Sequence, residues 1–173
     1  MQHRTIALLA FASLAALAGC ATVTGTRAVA TLAPTAGNAT AGTVRFAQSG
    51  GKVQVSGEVR GLKPNAEHGF HVHEKGDCSA PDATSAGGHY NPTGAPHGSH
   101  GTAPHHAGDL PSLKANAQGI ATFSFETSAI SVGGGAADVV GKGLIVHRDP
   151  DDFKTQPTGN AGPRLACAVI ARG

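Results

Sequence analysis

The stretch Gly69-Phe70-His71-Val72-His73 alternates apolar side chains with histidines. Successive side chains of a β-strand point to opposite faces of the sheet, so the pattern predicts a strand whose Phe70 and Val72 face a core. His71 and His73 then share the other face, about 6.5–7 Å apart along the backbone. Two imidazoles at this separation can bind one metal ion from adjacent coordination positions. For a His-x-His pair taken alone, the alternative is two surface histidines on a half-exposed strand.

Short strands separated by glycine-rich turns continue this pattern from about Ala39 onward. Glycine makes up 25 of the 173 residues, and only 14% of the residues are charged. The sequence has no good helix, and strands are predicted at 43–46, 52–62, 68–73, 119–125, 139–147 and 165–170. Such a sequence is typical of an antiparallel β-sandwich or barrel. Its length fits one such domain at residues 39–173.

The first 38 residues precede that domain. Residues 1–19 have a basic start, an apolar run too short for a comfortable membrane span, and small residues before Cys20. They predict a signal peptide ending in a lipobox, with Cys20 as the lipidated mature N-terminus. The alternative is an ordinary secretory signal with a chance cysteine. Residues 20–38 are Ala/Thr/Gly-rich without a clear period, which predicts a flexible tether. We therefore expect a lipid-anchored protein of the periplasm or cell envelope, with the outer membrane favoured.

Net charge and cysteine count agree with an exported protein. The formal charge is +2, and removal of the signal peptide with Arg4 leaves +1, so nucleic acid is not an expected partner. Membrane contact is expected only through the lipid. If Cys20 is lipidated, Cys78 and Cys167 are left to form one disulfide, which persists outside the cytoplasm. The alternative is two free buried thiols.

A long irregular stretch from Glu74 to Pro111 carries further candidate metal ligands. Loops of this length in a compact domain are normally functional or disordered. The candidates are three histidines and one carboxylate: His89, His97, His106 and Asp109. Such a mixed set suits tetrahedral zinc, which has no redox chemistry and therefore a structural and electrostatic role.

His147 ends the apolar run Leu144–Val146, where a histidine is unexpected unless it has a function. Together with His71 and His73 it offers nitrogen ligands, and nitrogen coordination in a tetragonal arrangement suits copper(II). Copper changes oxidation state, so one-electron chemistry is expected at these residues. Asp151 could accept hydrogen bonds from the distal nitrogens of ligand histidines.

Five segments in this order resemble the bacterial copper/zinc superoxide dismutases of the exported, lipoprotein type. They are Gly69–His73, Ala86–Pro92, His106–Leu110, Val146–Asp152 and Thr158–Cys167. The resemblance covers about residues 40–172. It implies an all-β, antiparallel Greek-key β-sandwich or flattened barrel with long metal-binding and electrostatic loops.

The resemblance also implies a role for each candidate residue. The implied copper ligands are His71, His73, His89 and His147, and the implied zinc ligands are His89, His97, His106 and Asp109. His89 is thus shared by both metals. The other implied roles are Asp151 as the carboxylate linking the two sites, Cys78 and Cys167 as the disulfide, Arg164 as the guanidinium beside copper and His68 as a buried structural histidine. His100 and His105 have no family counterpart and are either solvated loop residues or auxiliary metal ligands.

The implied activity is the conversion of superoxide to dioxygen and hydrogen peroxide by alternate reduction and oxidation of copper. Arg164 and His89 are then the catalytic residues, and the enzyme protects the cell envelope from extracytoplasmic superoxide. The resemblance allows either a monomer or a homodimer. One alternative is a non-catalytic copper/zinc-binding or copper-delivery module on the same fold. A second is a histidine-rich metal-scavenging lipoprotein without a defined fold.

Overall fold

The computed structural model describes residues 26–173, so the predicted signal peptide and Cys20 lie outside the described residues. The strands are β1 Arg27–Pro34, β2 Ala41–Ser49, β3 Lys52–Arg60, β4 Glu67–His68, β5 Phe70–His73, β6 Leu113–Lys114, β7 Ala121–Thr127, β8 Gly143–His147, β9 Arg164–Val169 and β10 Ala171–Arg172. A single 3-10 turn at Thr84–Ala86 is the only helical element from residue 26 to the end. Within that same part of the chain, no helix is long and apolar enough to cross a membrane.

The strands form one curled antiparallel sheet in the order β5-β8-β9-β1-β2-β3-β7. Strand β1 joins the two layers, since its residues 27–32 pair with β2 while Ala33 and Pro34 pair with β9. The crossovers from β3 to β7 and from β5 to β8 give a Greek-key sandwich, as the sequence predicts. Strands β4 and β6 form a separate two-stranded pair, and β10 pairs with β1.

Alternating side chains of both layers meet in the core. The largest apolar side chains with almost no exposed surface include Phe46, Phe70 and Leu144. Phe70 of β5 packs edge to face against Phe123 of β7, with ring centroids 5.4 Å apart. The strands predicted at 43–46 and 52–62 are confirmed and form a hairpin: β2 and β3 pair from Ser49↔Lys52 to Ala41↔Arg60 around Gly50-Gly51. Gly50 has φ +56°, a backbone conformation that favours glycine.

The prediction of a flexible tether over residues 20–38 is wrong for residues 27–34. This segment is β1, and its Ala28, Ala30 and Leu32 point into the core with at most 2% of their surface exposed. The inward side chains are mostly alanine and the outward ones include Val29 and Thr31, so the contrast in hydrophobicity is weak although the alternation is regular. The fold therefore begins about twelve residues before the predicted boundary at residue 39.

We expect Leu32→Ala to lower the free energy of unfolding by about 2–5 kcal/mol, because it leaves a cavity in a core with little room to collapse. Chemical denaturation measures this change. The matched control is Thr31→Ala on the exposed side of the same strand, which should change the free energy by less than about 0.5 kcal/mol. Equal, small effects of both substitutions would contradict the placement of β1 in the core.

Candidate metal centre

Two strands and a long loop bring the histidines together. His71 and His73 lie on β5, and His147 ends the neighbouring β8, where the pairing register with β9 shifts. The long loop (residues 74–111) folds back over β5 and forms isolated bridges from Asp109 to His71 and from His89 to His73. As a result, the histidine face of β5 is covered by the loop. His71 and His73 are at most 1% exposed, which excludes the surface-pair interpretation.

The buried ligand-type side chains form two adjoining groups that share one member. The nitrogen cluster consists of His71, His73, His89 and His147, and the mixed cluster consists of His89, His97, His106 and Asp109. Within each cluster, one possible ligand atom per residue lies within 4.8 Å of all the others. These seven side chains are the candidate metal ligands that the sequence singles out, and all of them are buried.

Hydrogen bonds fix which ring nitrogen each strand histidine presents. His73 Nδ1 donates to the carbonyl of Gly87 at 2.9 Å, and His147 Nδ1 donates to the carbonyl of Gly162 at 3.0 Å. A carbonyl oxygen can only accept, so both Nδ1 atoms carry the hydrogen and both Nε2 atoms have free lone pairs. These two Nε2 atoms lie 3.4 Å apart. The pair is therefore ready to coordinate a single ion.

Several buried ring nitrogens have no hydrogen-bond partner, which is the observation that tests whether a metal fits. They include His71 Nδ1 and His89 Nε2. Buried polar atoms are nearly always satisfied, so unpartnered nitrogens that face other ligand atoms indicate an ion between them. His89 also places its Nδ1 2.8 Å from Asp109 Oδ1 and 3.5 Å from His106 Nδ1. Its two nitrogens thus serve different clusters.

The mixed cluster converges on one carboxylate oxygen. Oδ1 of Asp109 lies 3.1 Å from His97 Nδ1 and 3.2 Å from His106 Nδ1, in addition to its contact with His89. The second oxygen, Oδ2, accepts hydrogen bonds from the backbone N–H groups of Gly98 and His106. The loop backbone therefore orients the carboxylate, and three nitrogens with one oxygen are the donor set that zinc prefers.

The carboxylate of Asp151 accepts hydrogen bonds from one histidine of each cluster. Its Oδ2 accepts a hydrogen bond from His71 Nε2 at 2.7 Å, and its Oδ1 accepts one from His97 Nε2 at 2.9 Å. The backbone N–H of Phe153 also donates to Oδ1 at 2.7 Å. Gly159 approaches this carboxylate so closely that a Cβ would collide with it. Asp151 is 5% exposed and sets the orientation of one ring in each cluster.

Arg164 and the disulfide lie at the edge of the nitrogen cluster. Cys78 and Cys167 form a disulfide with a Cα–Cα distance of 5.8 Å, which excludes the alternative of two free thiols. Arg164 of β9 donates to the carbonyls of Ala83 and Gly87. Gly87 also accepts from His73, so one carbonyl positions both the guanidinium and a histidine of the nitrogen cluster. Arg164 remains partly exposed.

Burial and neighbouring charges shift the pKa values of His71 and His147 in the opposite direction from that of His97. Burial lowers the pKa of His71 to about 4 and the pKa of His147 to about 3. Burial acts in the same direction on His97, but the carboxylates of Asp109 and Asp151 outweigh it and raise its pKa to about 9. His71 and His147 are therefore neutral imidazoles at pH 7, whereas a metal ion that binds His97 must displace a proton.

Residues 40–170 match the family described as copper/zinc superoxide dismutase. This match spans most of the chain and includes every residue of both clusters. The chain belongs to the copper/zinc superoxide dismutase family. Family membership makes it an oxidoreductase whose metals are copper and zinc, and the donor sets of the two clusters fit these metals.

Individual relatives support the same family assignment. A Cu-Zn superoxide dismutase of Paramecium bursaria Chlorella virus 1 is 44% identical over 135 residues, covering 75% of this chain and 71% of the relative. Cu-Zn superoxide dismutase 2 of Aquifex aeolicus is 36% identical over 133 residues, covering 75% of this chain and 78% of the relative. The crystal structure of the clock protein EA4 superposes with a TM-score of 0.78 and 36% identity, covering 86% of this chain and 95% of that one.

The structure also places the remaining residues that the sequence singles out. His68 is buried and belongs to neither cluster, and its Nδ1 donates to the carbonyl of His147 at 2.9 Å. His100 and His105 belong to neither cluster. Sequence reasoning missed the backbone acceptors at Ala83, Gly87 and Gly162. Residue type carries no signal for a carbonyl, so these contacts become visible only in the fold.

We expect Asp151→Asn to weaken zinc binding by about 10–100-fold, because an amide cannot accept both ring hydrogens with its single oxygen. Competition with a chromophoric chelator measures the dissociation constant. The matched control is Asp152→Asn, since the exposed Asp152 carboxylate contacts only its own turn at Lys154 and Thr155. Equal zinc affinities of the two variants would show that Asp151 does not orient the ligands.

Proposed function

We propose that the nitrogen cluster holds copper, that the mixed cluster holds zinc, and that the protein dismutates superoxide outside the cytoplasm. The observation that carries this assignment is the sharing of His89 between a set of four nitrogens and a set that contains a carboxylate. Four nitrogens suit a redox-active copper ion, and a mixed nitrogen–oxygen set suits zinc. Copper, when bound, supplies the one-electron oxidation of one superoxide and the one-electron reduction of the next.

The overall reaction decides what the protein residues must do. Two superoxide anions and two protons give one dioxygen and one hydrogen peroxide, so the site must attract anions and deliver protons. The strand histidines meet neither need, because their Nδ1 or Nε2 hydrogens are held by Gly87, Gly162 and Asp151. Their part is to keep the ligand atoms fixed, which limits reorganisation during electron transfer.

Arg164 is the residue that attracts the substrate. Two of its nitrogens donate to the carbonyls of Ala83 and Gly87, and a guanidinium has five N–H groups, so donors remain for an anion. The shared Gly87 carbonyl places this charge next to His73. Because Arg164 is three residues before Cys167, the disulfide to Cys78 holds its strand against the long loop. The guanidinium is therefore positioned before the substrate arrives.

His89 is the residue that can hold the transferred proton. Its Nε2 atom is buried and has no hydrogen-bond partner, while its Nδ1 atom faces Asp109 and His106. A proton taken up at Nε2 therefore lies on the side of the ring that faces the nitrogen cluster. The ring is kept in place by its Nδ1 contacts whether or not Nε2 is protonated.

We infer export and lipid attachment at Cys20 from the predicted signal sequence and the Cys78–Cys167 disulfide, which is typical of oxidising compartments. Since β1 begins at Arg27, only residues 20–26 separate a lipid on Cys20 from the fold. A domain anchored through so few residues stays close to the membrane surface. In this location the enzyme removes superoxide at the cell envelope.

We expect His147→Ala to lower dismutation by the copper/zinc-loaded protein by more than about 100-fold. This exceeds the effect of removing a residue that only hydrogen-bonds to a metal ligand, which is about 10–100-fold. The substitution removes one of the four nitrogen ligands, so three remain to hold the ion. Inhibition of a superoxide-dependent dye reduction measures the rate, and metal analysis gives the copper content. Arg148→Ala, at the exposed neighbouring position, should retain full activity. A loaded wild type without activity would favour the copper-delivery module on the same fold.

We expect Arg164→Ala to lower the dismutation rate by about 10–100-fold with both metals still bound, because a charged hydrogen bond contributes about 1.5–3 kcal/mol. Pulse radiolysis at several ionic strengths measures the second-order rate. Arg164→Lys should recover part of the rate, since it keeps the charge without the forked geometry. Arg172→Ala on β10 removes the same charge elsewhere. An equal loss in Arg172→Ala would assign the effect to net charge instead of to Arg164.

A further inference from the structure

Among the histidines of residues 26–173, His100 and His105 are the two that belong to neither cluster and are not buried. Both lie on the part of the long loop between His97 and His106, and both are partly exposed. A turn at Ser99–Thr102, closed by the hydrogen bond from Thr102 N–H to the Ser99 carbonyl, brings them to the same side of the loop. Their ring centroids lie 5.6 Å apart, and the ring planes are tilted by 59°.

Both rings present the same nitrogen to solvent. His100 Nδ1 lies 3.1 Å from the carbonyl of Asp109, and His105 Nδ1 lies 2.7 Å from the carbonyl of His106. Because carbonyls only accept, both Nδ1 atoms carry the hydrogen and both Nε2 atoms keep a free lone pair. Neither Nε2 makes a hydrogen bond with any residue from 26 to 173, and neither is fully buried. Backbone contacts thus fix two imidazoles in the tautomer that binds metals through Nε2.

The separation of these rings matches that of ligand pairs inside the two clusters. His73 and His147, whose Nε2 atoms lie 3.4 Å apart, have ring centroids 5.6 Å apart at an interplanar angle of 29°. His97 and His106, which present Nδ1 atoms to Asp109, have centroids 5.5 Å apart at 54°. His100 and His105 have a centroid separation in the same range, with an angle of 59°. The ring of His100 also packs edge to face on Phe125 of β7, with centroids 5.7 Å apart. The pair is therefore held by packing as well as by hydrogen bonds.

We propose that His100 and His105 form a third metal site, which binds one divalent transition-metal ion such as Zn²⁺ or Cu²⁺ through their Nε2 atoms. Imidazole nitrogens suit these ions, and water completes the coordination because the pair is open to solvent. With only two protein ligands, the site binds more weakly than the nitrogen and mixed clusters. Its position next to His106 places a captured ion on the loop that carries the mixed cluster.

The test is a titration of the protein already loaded with one copper and one zinc per chain. We use Zn²⁺ as the probe and measure binding by equilibrium dialysis and calorimetry. The wild type should take up one further equivalent. His100→Gln and His105→Gln should each weaken this third equivalent at least ten-fold, because each removes half of the chelate. Thr102→Ala, in the same turn, is the control and should bind as the wild type does.

A Cu²⁺ titration gives an independent signature. The third equivalent should show an electron paramagnetic resonance spectrum with coupling to two nitrogens, and this spectrum should be absent in the double variant. Copper and zinc content of the inner sites and dismutation activity should stay unchanged in all variants, which shows that they fold. No third equivalent in the wild type would overturn the proposal. So would undiminished binding in either single variant, since a chelate requires both rings.

Discussion

Seven polar side chains are buried together at one end of the sandwich, and their burial is the constraint on which the surrounding structure depends. Polar atoms without partners destabilise a fold, so every ring nitrogen must face either a hydrogen-bond partner or a ligand position. His71, His73 and His147 meet this constraint through Asp151 and two backbone carbonyls. The atoms left over converge on two points. The hydrogen bonds behind the rings thus determine where metals can bind.

The loops are shaped by the same constraint. Residues 74–111 contribute Gly87, which accepts from both His73 and Arg164, and Asp109, whose carboxylate accepts from two loop amides. The disulfide ties this loop to β9 at Cys167. Closing a long loop is entropically costly, and a covalent link lowers that cost by restricting the unfolded chain. The disulfide and these hydrogen bonds therefore fix the long loop against the strands that it covers.

The sequence predicted those features that side-chain type and spacing encode. Alternation in Gly69–His73 and the segments 43–46 and 52–62 predicted strands that the structure confirms. The ligand types were readable because few residues other than His, Asp and Cys bind transition metals. Strand β1 was missed because its inward alanines differ little in hydrophobicity from its outward residues, which include Val29. The carbonyls of Gly87 and Gly162 were not predictable, since a backbone acceptor becomes a partner only once the loop has its fold.

Two connections between the clusters make their occupancies interdependent. His89 offers one nitrogen to each cluster, so an ion in the mixed cluster would hold the ring in the orientation that the nitrogen cluster needs. Asp151 holds His71 of one cluster and His97 of the other with separate oxygens of one carboxylate. Any free energy gained by ordering these rings for one ion is gained for the other as well, because coupling between binding sites is reciprocal. A zinc ion held by the mixed cluster would therefore affect the nitrogen cluster through His89 and Asp151, the two residues that contact both clusters.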